Sequence, residues 1–175
     1  MAVSPSVRTF GWQAADFKLP ATDGRQISLA DVRGEKGTLV MFICNHCPYV
    51  IRALEQIKTD ARDLAGIGVR SVAISSNDVV NYPQDSFENM QSLAQQHDFP
   101  FPYLYDEDQS VARAYDAACT PDFFGFDRDL KLRYAGRLVA PDGTRELFDG
   151  MRLVAETGQG PDNQVPSMGC SIKWK

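Results

Sequence analysis

A Cys-x-x-Cys that joins a predicted strand to a predicted helix constrains this chain more than any other feature. The apolar run from Thr38 to Ile43 ends at Cys44, and Cys47 is followed directly by Pro48. An apolar, β-branched run that stops at two thiols and continues as a helix is typical of a strand that feeds a redox dithiol. Apolar residues then recur at helical spacing and predict one buried helix face. They are Val50, Leu54, Ile57, Ala61 and Leu64.

The helix start is expected to govern the ionisation of the two thiols. Proline is favoured at the first helical position, so Pro48 predicts Cys47 at or near the N-cap. A sulfur there faces unpaired backbone N–H groups and the positive end of the helix dipole, which both favour the thiolate. A protonated His46 would add to this effect. We expect Cys47 to be the better stabilised thiolate and Cys44 its exchange partner, while the opposite order stays open.

Two structural alternatives exist for the pair. Cys44 and Cys47 can be two buried small side chains, or they can form half of a zinc site. Zinc would need two more ligands at similar spacing, but the sequence has no second Cys-x-x-Cys and its only other histidine is His97. The strand–dithiol–helix context therefore favours redox chemistry, whereas His46 can equally fill a turn.

Charge and composition narrow the range of partners. The chain has 175 residues, a formal net charge of −5 and no basic block, which argues against nucleic acid and anionic membranes as partners. We predict one domain over 1–175, with an irregular arm at 1–14 and an irregular tail at 158–175. No signal peptide or membrane span is evident, so a cytoplasmic location is expected, where a cysteine pair is more often catalytic than structural.

The rest of the chain predicts an α/β fold with parallel strands and an appended hairpin. Asp85 and Glu88 stand three residues apart and are predicted to cap a helix as a capping box. A strand, helix and strand in succession predict a right-handed parallel crossover. Before the dithiol, the sequence predicts a hairpin (16–19 and 26–29). After the dithiol and its helix, it predicts a strand (69–75), a helix (85 to about 97), a strand (103–105) and a helix after the acidic run 106–108. An antiparallel hairpin from Pro121 to Tyr134 and a helix (144 to about 156) follow.

Polar residues follow the second parallel strand. Ser76, Asn77 and Asp78 come directly after it, and parallel strands share the edge at which they end. These side chains are therefore expected near the dithiol. They can line the site, or they can simply form a turn and cap.

Four segments of the chain carry a resemblance to a known family. They are Phe42-Ile43-Cys44-Asn45-His46-Cys47-Pro48-Tyr49-Val50, Ile74-Ser75-Ser76-Asn77-Asp78, Cys119-Thr120-Pro121-Asp122-Phe123 and Gly169-Cys170-Ser171-Ile172-Lys173-Trp174-Lys175. Together they resemble the thioredoxin fold, and more narrowly its peroxiredoxin-like, or redoxin, branch, the alkyl hydroperoxide reductase/thiol-specific antioxidant superfamily. They are similar in particular to bacterial thioredoxin family proteins with the same ending. The resemblance implies a central mixed sheet flanked by helices, with an N-terminal β-hairpin extension.

The resemblance also implies a role for one residue pair. In thioredoxin-like proteins, the residue before a cis-proline lies against the dithiol and binds the partner's backbone. Here that residue would be Thr120, with Pro121 cis. The alternative is an ordinary trans proline that opens an edge strand.

The motif differs from that of thioredoxins and from that of peroxiredoxins. Thioredoxins carry Trp where Ile43 stands and Gly-Pro where Asn45 and His46 stand, and their first cysteine usually attacks. If Cys47 is compared with the peroxidatic cysteine of peroxiredoxins, Cys44 takes the position of their Thr or Ser, and Val40 that of their Pro. Hydroperoxide reduction would therefore lack its usual activating groups.

The two remaining cysteines admit three interpretations. Cys119 stands two residues before Pro121 and is expected near the dithiol, while Cys170 lies in the tail. They can bond to each other, Cys170 can act as a mobile resolving thiol, or both can be inert, as buried cysteines often are. Ile172 and Trp174 are expected to dock the tail and to keep Cys170 in place.

We therefore predict a thiol–disulfide oxidoreductase in which Cys44 and Cys47 exchange with protein or small-molecule disulfides. Thr120 would position the partner, His46 would tune the thiolate, a dithiol donor would supply electrons, and no organic cofactor is required. One alternative is a thiol peroxidase that reduces hydroperoxides. Another is a copper or soft-metal chaperone that uses Cys44, Cys47 and His46. The redox hypothesis requires the two sulfurs to be close together and open to water.

Overall fold

The computed structural model describes residues 2–5 and 8–175. The strands are β1 (Ala2–Val3), β2 (Lys18–Pro20), β3 (Gln26–Ser28), β4 (Gly37–Phe42), β5 (Val69–Ser75), β6 (Tyr103–Tyr105), β7 (Cys119–Thr120), β8 (Asp122–Phe126), β9 (Leu132–Tyr134) and β10 (Gly169–Ser171). The helices are α1 (Leu29–Val32), α2 (Pro48–Ala65), α3 (Phe87–Gln96), α4 (Ser110–Ala114) and α5 (Glu146–Thr157), with a 3₁₀ turn at Pro83–Asp85.

The central sheet has five strands in the order β6-β5-β4-β8-β9. β4, β5 and β6 run parallel, whereas β8 is antiparallel to both β4 and β9. The predicted hairpin near the N-terminus forms as β2 and β3. These findings confirm the α/β fold class, its mixed sheet and its hairpin extension.

The alternation of β4 separates two cores on the two sides of this sheet. Leu39 and Met41 belong to the core that α2 and α5 cover. Val40 and Phe42 belong to the opposite core, which α4 and the β2–β3 hairpin cover. Successive side chains of a strand point to opposite faces, so one fully buried strand serves both cores and holds the centre of the fold.

Helix α2 forms where the sequence predicts it. Pro48 occupies its first turn, Cys47 is its N-cap, and Gly66 ends it. The five residues of the predicted stripe are all buried against the sheet. The helix thereby fixes the second cysteine at its N-terminus, directly beyond the end of β4.

The arm and the tail are not irregular throughout, contrary to the sequence prediction. Ala2–Val3 pair with β10, and β10 pairs with β7, so these three strands form a small antiparallel sheet. Runs of two or three residues carry too little periodicity to be predicted as strands. Their pairing places the C-terminal segment beside the residue that precedes Pro121.

The predicted capping box of the third helix is wrong. Ser86 is the N-cap of α3, and its side chain accepts a hydrogen bond from the backbone N–H of Asn89. Asp85 lies one residue earlier, in the 3₁₀ turn, and is fully buried. Because Ser86 already satisfies the helix end, the carboxylate of Asp85 is free to turn toward the dithiol.

The predicted helix after the acidic run does form, and its first residue follows Gln109. The Asp106 carboxylate accepts hydrogen bonds from the backbone N–H groups of Val111 and Ala112. Within residues 2–5 and 8–175, the helices are too short or too polar to cross a bilayer.

Candidate redox site

The two cysteines of the motif lie together at the carboxyl edge of the sheet. Cys44 follows β4, and Cys47 caps α2. Both belong to one buried cluster, where the Cys44 thiol is close enough to lower the pKa of Cys47, and all four cysteines of the chain are free thiols. A strand end and a helix start thus bring two sulfurs close together without a covalent bond.

The segment before Pro121 lies against both sulfurs. The Thr120–Pro121 peptide bond is cis, as predicted. The Thr120 hydroxyl oxygen lies 3.5 Å from Cys44 Sγ. When Cys47 is protonated, its thiol donates to the carbonyl oxygen of Thr120 at 3.3 Å. Thr120 is therefore the residue that joins the two halves of the pair.

The environment makes the two thiols unequal. The hydrogen bond from Cys44 lowers the pKa of Cys47 to about 4, against the opposing effect of burial, and donors from Cys170 and the backbone N–H of Val50 add to it. The same shared hydrogen bond, then burial and the charge of Asp85, raise the pKa of Cys44 far above its ordinary value. The reduced pair thus consists of one thiolate and one thiol.

His46 lies between the dithiol and a buried carboxylate. Its Nδ1 is 2.7 Å from Oδ2 of Asp85, although the two atoms do not meet the geometry of an aligned hydrogen bond. The imidazole also stacks on the ring of Tyr82, with centroids 6.0 Å apart. His46 is therefore held in a defined position, not in a free turn.

Asp85 is the site residue that the sequence prediction missed. Its carboxylate accepts hydrogen bonds from the backbone N–H of Asn45 and from the side-chain amide of Asn77, each at 2.9 Å. The sequence signal that could have identified it is Ser86. Serine is itself a favoured N-cap, so the neighbouring Asp85 is not needed to cap the helix. Asp85 thereby ties the dithiol loop to the loop after β5.

The polar run after β5 forms a turn and also reaches the site. Asn77 binds Asp85 through its amide nitrogen, and its oxygen accepts the backbone N–H of Lys173 at 3.0 Å. The backbone N–H of Asp78 donates to the carbonyl oxygen of Lys173 at 2.8 Å. This run therefore connects the dithiol loop to the C-terminal tail.

Cys170 lies next to the dithiol, whereas Cys119 faces away from it. Cys170 pairs with Thr120 across the β10–β7 strands, and Cys119 pairs with Ser171. Neighbouring residues of a strand point to opposite faces, so this register does not favour a bond between Cys119 and Cys170. Burial raises the pKa of Cys119 to about 12, which fits an inert thiol. Cys170 instead packs against the cluster that contains Cys47, and it helps to lower the pKa of that thiol.

The tail is fixed in the way that the sequence predicts. Ile172 is buried in the core on the α4 side of the sheet. The guanidinium of Arg113 lies 4.5 Å from the ring centre of Trp174. Cys170 is therefore not a roaming thiol.

The structure meets only one of the two requirements of the redox hypothesis. The sulfurs are close together, but Cys44 is 1% exposed and Cys47 is 0% exposed. Cys170 is half-buried, and so it is the thiol of this cluster that reaches solvent. Access to the pair requires movement of the segments that cover it.

A groove of about 520 Å³ opens beside the covered pair. Its lining includes Tyr49 and Arg52 of α2, Pro121, Arg137 and Met168. Met168 is among the exposed large apolar residues of the described chain. The groove therefore offers apolar and cationic groups next to the residue that joins the two sulfurs.

One set of possible metal ligands differs from the predicted set. Ligand atoms of Cys44, His46 and Asp85 lie within 4.8 Å of one another. The sequence grouped Cys44 and His46 with Cys47, so Asp85 takes the place of Cys47 in the cluster. Sulfur, imidazole and carboxylate donors together suit zinc better than a purely soft metal.

The sequence model of the AhpC/TSA family matches residues 10–135, a segment that contains Cys44, Cys47 and Thr120. The chain belongs to the AhpC/TSA family. A 28% identical relative over 115 residues is a Coxiella burnetii protein whose name assigns it to the bcp peroxiredoxins; the match covers 66% of this chain and 71% of that protein.

Solved structures place this AhpC/TSA protein in the thioredoxin-like fold. An uncharacterized conserved protein from Geobacillus kaustophilus is 46% identical, with a TM-score of 0.94, over 100% of this chain and 97% of that one. A thiol:disulfide interchange protein of the thioredoxin family from Chlorobium tepidum is 16% identical, with a TM-score of 0.67, over 85% of this chain and 99% of that one. The predicted thioredoxin-like, redoxin resemblance is thereby confirmed.

Proposed function

We propose that this AhpC/TSA protein is a thiol–disulfide oxidoreductase whose redox couple is Cys44 and Cys47. The observation that carries the proposal is that two neighbouring thiols both contact Thr120, in an environment that lowers the pKa of Cys47 and raises that of Cys44. A thiolate is the nucleophile in thiol exchange, and a neighbouring protonated thiol can complete the reaction. Membership of a redoxin family supports redox chemistry in general.

The proposed reaction has two exchange steps. The Cys47 thiolate attacks one sulfur of a partner disulfide, and the other partner sulfur leaves as a thiolate. Cys44 then loses its proton and attacks Cys47, which forms the Cys44–Cys47 disulfide and releases the second partner thiol. A dithiol donor restores the reduced pair by the reverse exchange.

The neighbouring residues have supporting roles in this proposal. Thr120 positions the partner beside the pair, from the groove that Pro121 helps to form. Asp85 sets the negative charge that Cys44 faces, and His46 lies against that carboxylate. Because the pair is buried, each cycle includes a local opening of the covering segments, as is common for loops and terminal strands near active sites.

The test is reduction of insulin by dithiothreitol in the presence of the protein. We expect Cys47→Ser to lose all protein-dependent turnover and Cys44→Ser to lose most of it. The matched control is Cys119→Ser, which changes a buried thiol outside the pair and should retain turnover. Full activity in both Cys44→Ser and Cys47→Ser would overturn the proposal.

Thiol peroxidase activity is a second candidate, favoured by the low pKa of Cys47 and by the bcp relative. Peroxide would oxidise Cys47 to the sulfenic acid, and Cys44 would condense with it to a disulfide and water. Cys44 and Val40 stand where peroxiredoxins carry activating groups, so we expect slower turnover with peroxide than with disulfides. Peroxide-dependent thiol consumption measures the difference.

Metal binding is a third candidate, favoured by the cluster of Cys44, His46 and Asp85. Metal analysis of the protein purified in reductant should then find zinc or copper near one equivalent in the wild type, and much less in Asp85→Asn. Metal-free protein under these conditions would reject this function.

A further inference from the structure

We propose that Cys170 is a second resolving thiol, which forms a Cys47–Cys170 disulfide at the surface of the molecule. The inference rests on the proposed oxidoreductase function. It concerns a residue outside the segment 10–135 that the family model matches.

The first support is the strand register. β10 places Cys170 opposite Thr120, and Thr120 contacts the sulfurs of both Cys44 and Cys47. Residues directly opposite in an antiparallel pair carry side chains on the same face. The register therefore directs the Cys170 side chain toward the dithiol.

The second support is the position of Cys170 against the buried cluster that contains Cys44 and Cys47. Its thiol and its backbone N–H are close enough to help lower the pKa of Cys47. A thiol beside another sulfur becomes a nucleophile for it once the thiol proton is lost. Cys47 therefore has two neighbouring thiols, Cys44 on the inner side and Cys170 on the outer side.

The third support is the fixed position of β10. A Cβ added to Gly169 would lie 2.0 Å from the carbonyl oxygen of Thr120, so glycine permits a close approach of the two backbones. After Cys170, the backbone N–H of Ile172 donates to the carbonyl oxygen of Ala118 at 3.2 Å. The amide of Gln109 donates to the carbonyl oxygen of Lys173 at 2.8 Å. Cys170 is thus held in place from both sides.

The difference in burial gives this thiol a distinct role. Cys44 is buried beside the negative charge of Asp85, and both raise its pKa. Cys170 is half-buried, so its proton can pass to water. A Cys47–Cys170 disulfide would also have one sulfur within reach of a dithiol donor, which the Cys44–Cys47 disulfide does not have in this conformation.

The proposed step balances without a further reagent. After Cys47 has attacked a partner disulfide, Cys170 loses its proton to water and attacks Cys47 Sγ. The bond between Cys47 and the partner breaks, and the partner leaves as a thiolate that takes up a proton. Two protein thiols have then been oxidised to one disulfide, and one partner disulfide has been reduced to two thiols.

The experiment uses glutathione disulfide with the full-length Cys44→Ser protein. We expect loss of two hydrogens from the intact mass, no retained glutathione, and a peptide map that links Cys47 to Cys170. Cys44→Ser/Cys170→Ser should instead retain glutathione on Cys47. The control Cys44→Ser/Cys119→Ser should behave like Cys44→Ser.

Retention of glutathione on Cys47 in Cys44→Ser would overturn the role of Cys170 and leave the proposed function intact. A wild-type protein in which Cys47 forms neither a disulfide nor an adduct would overturn both. The oxidised wild-type protein needs no substitution. We expect some of its molecules to contain a Cys47–Cys170 disulfide and others a Cys44–Cys47 disulfide, and complete absence of the Cys47–Cys170 disulfide would also count against the proposal.

Residual insulin reduction by Cys44→Ser should fall at least about tenfold on addition of Cys170→Ser.

Discussion

The charge state of a single sulfur sets what the site can do at the scale of the residue. Cys47 ionises because donors surround it: the Cys44 thiol first, then Cys170 and the backbone at the start of α2. Charge-assisted hydrogen bonds of this kind outweigh the cost of burying the thiolate. The reactive form of the protein is therefore set by donors that single substitutions can remove.

Titration of the thiolate absorbance tests this point. In reduced wild type we expect the Cys47 thiolate to persist below neutral pH and to be lost near its pKa of about 4. Cys44→Ala removes the main donor and should raise this midpoint, whereas Cys44→Ser keeps a donor and should raise it less. A midpoint near the ordinary thiol pKa in wild type would contradict the assignment.

The same pKa has a consequence for stability. Folding lowers the pKa of Cys47, so its contribution to the free energy of unfolding is complete above the ordinary thiol pKa and is lost as the pH falls toward about 4. Cys47→Ser should therefore show a weaker loss of stability over that pH range than wild type. Urea unfolding of the reduced proteins at several pH values measures it.

Asp85 gives a second prediction at this scale. Its charge contributes to the raised pKa of Cys44, so Asp85→Asn should let Cys44 ionise at lower pH. In a Cys170→Ser background, the pH profile for release of the second partner thiol should shift to lower pH. Glu88→Gln, which removes an exposed carboxylate from the first turn of α3, is the control and should leave the profile unchanged. An unshifted profile in Asp85→Asn would show that its charge does not govern Cys44.

A local pattern predicted the two sulfurs, whereas Thr120 and the cis bond of Pro121 were expected from the resemblance to thioredoxin-like proteins. The role of Asp85 was not predicted because Asp85 contacts Asn45, which lies 40 residues earlier in the sequence. The local pattern instead assigned Asp85 to a helix cap. The burial of the pair was missed for the same reason, since the covering strand lies far away in the chain.

At the scale of the element, β10 is both a strand and the cover of the site. Its pairing with β7 depends on the absence of a side chain at Gly169. A methyl group there would meet backbone, which cannot rotate away as a side chain can. The tail is therefore the element whose displacement should expose Cys47.

Gly169→Ala tests this role. We expect alkylation of Cys47 by iodoacetamide to accelerate by about tenfold or more, because each 1.4 kcal/mol by which the covered state is weakened raises the open population tenfold. Gly66→Ala is the matched control, since its added Cβ would meet only the carbonyl oxygen of Asp63, at 3.3 Å. Equal alkylation rates in wild type and Gly169→Ala would exclude the tail as the cover.

The elements that sequence patterns predicted well are the long ones. β4, β5, α2 and α5 carry enough apolar residues at one period to define a strand or a helix face. The strands β1, β7 and β10 have two or three residues each, and only tertiary pairing defines them. The site's cover is built from those short strands, so it could not be predicted from periodicity.

Across the whole molecule, a buried ion pair joins the N-terminal arm to the segment after Pro121. The guanidinium of Arg8 lies 2.7 Å from Asp122, and both side chains are less than a tenth exposed. Arg8 also lies over the ring of Phe124, and the backbone N–H of Ala118 donates to the same carboxylate. The arm thereby supports the segment that carries Thr120.

Arg8→Ala should destabilise the protein by about 3 kcal/mol near neutral pH, because it leaves a buried carboxylate without its cation. Burial already raises the pKa of Asp122, and loss of Arg8 would raise it further. A raised folded-state pKa makes stability increase as the pH falls, so the defect should shrink in mild acid. Arg25→Ala, which breaks an exposed pair with Asp23, should have little effect. A defect that does not depend on pH would contradict this account of Asp122.

The small sheet has a practical consequence for anyone who handles this protein. Ala2 is paired with Cys170, and Cys170 with Thr120, so residues close to each terminus lie within one strand of the sulfurs. An affinity tag fused at either end would crowd that neighbourhood. Redox potentials and turnover should therefore be compared on protein from which the tag has been cleaved, since a tagged preparation would report on the fusion as much as on the native fold.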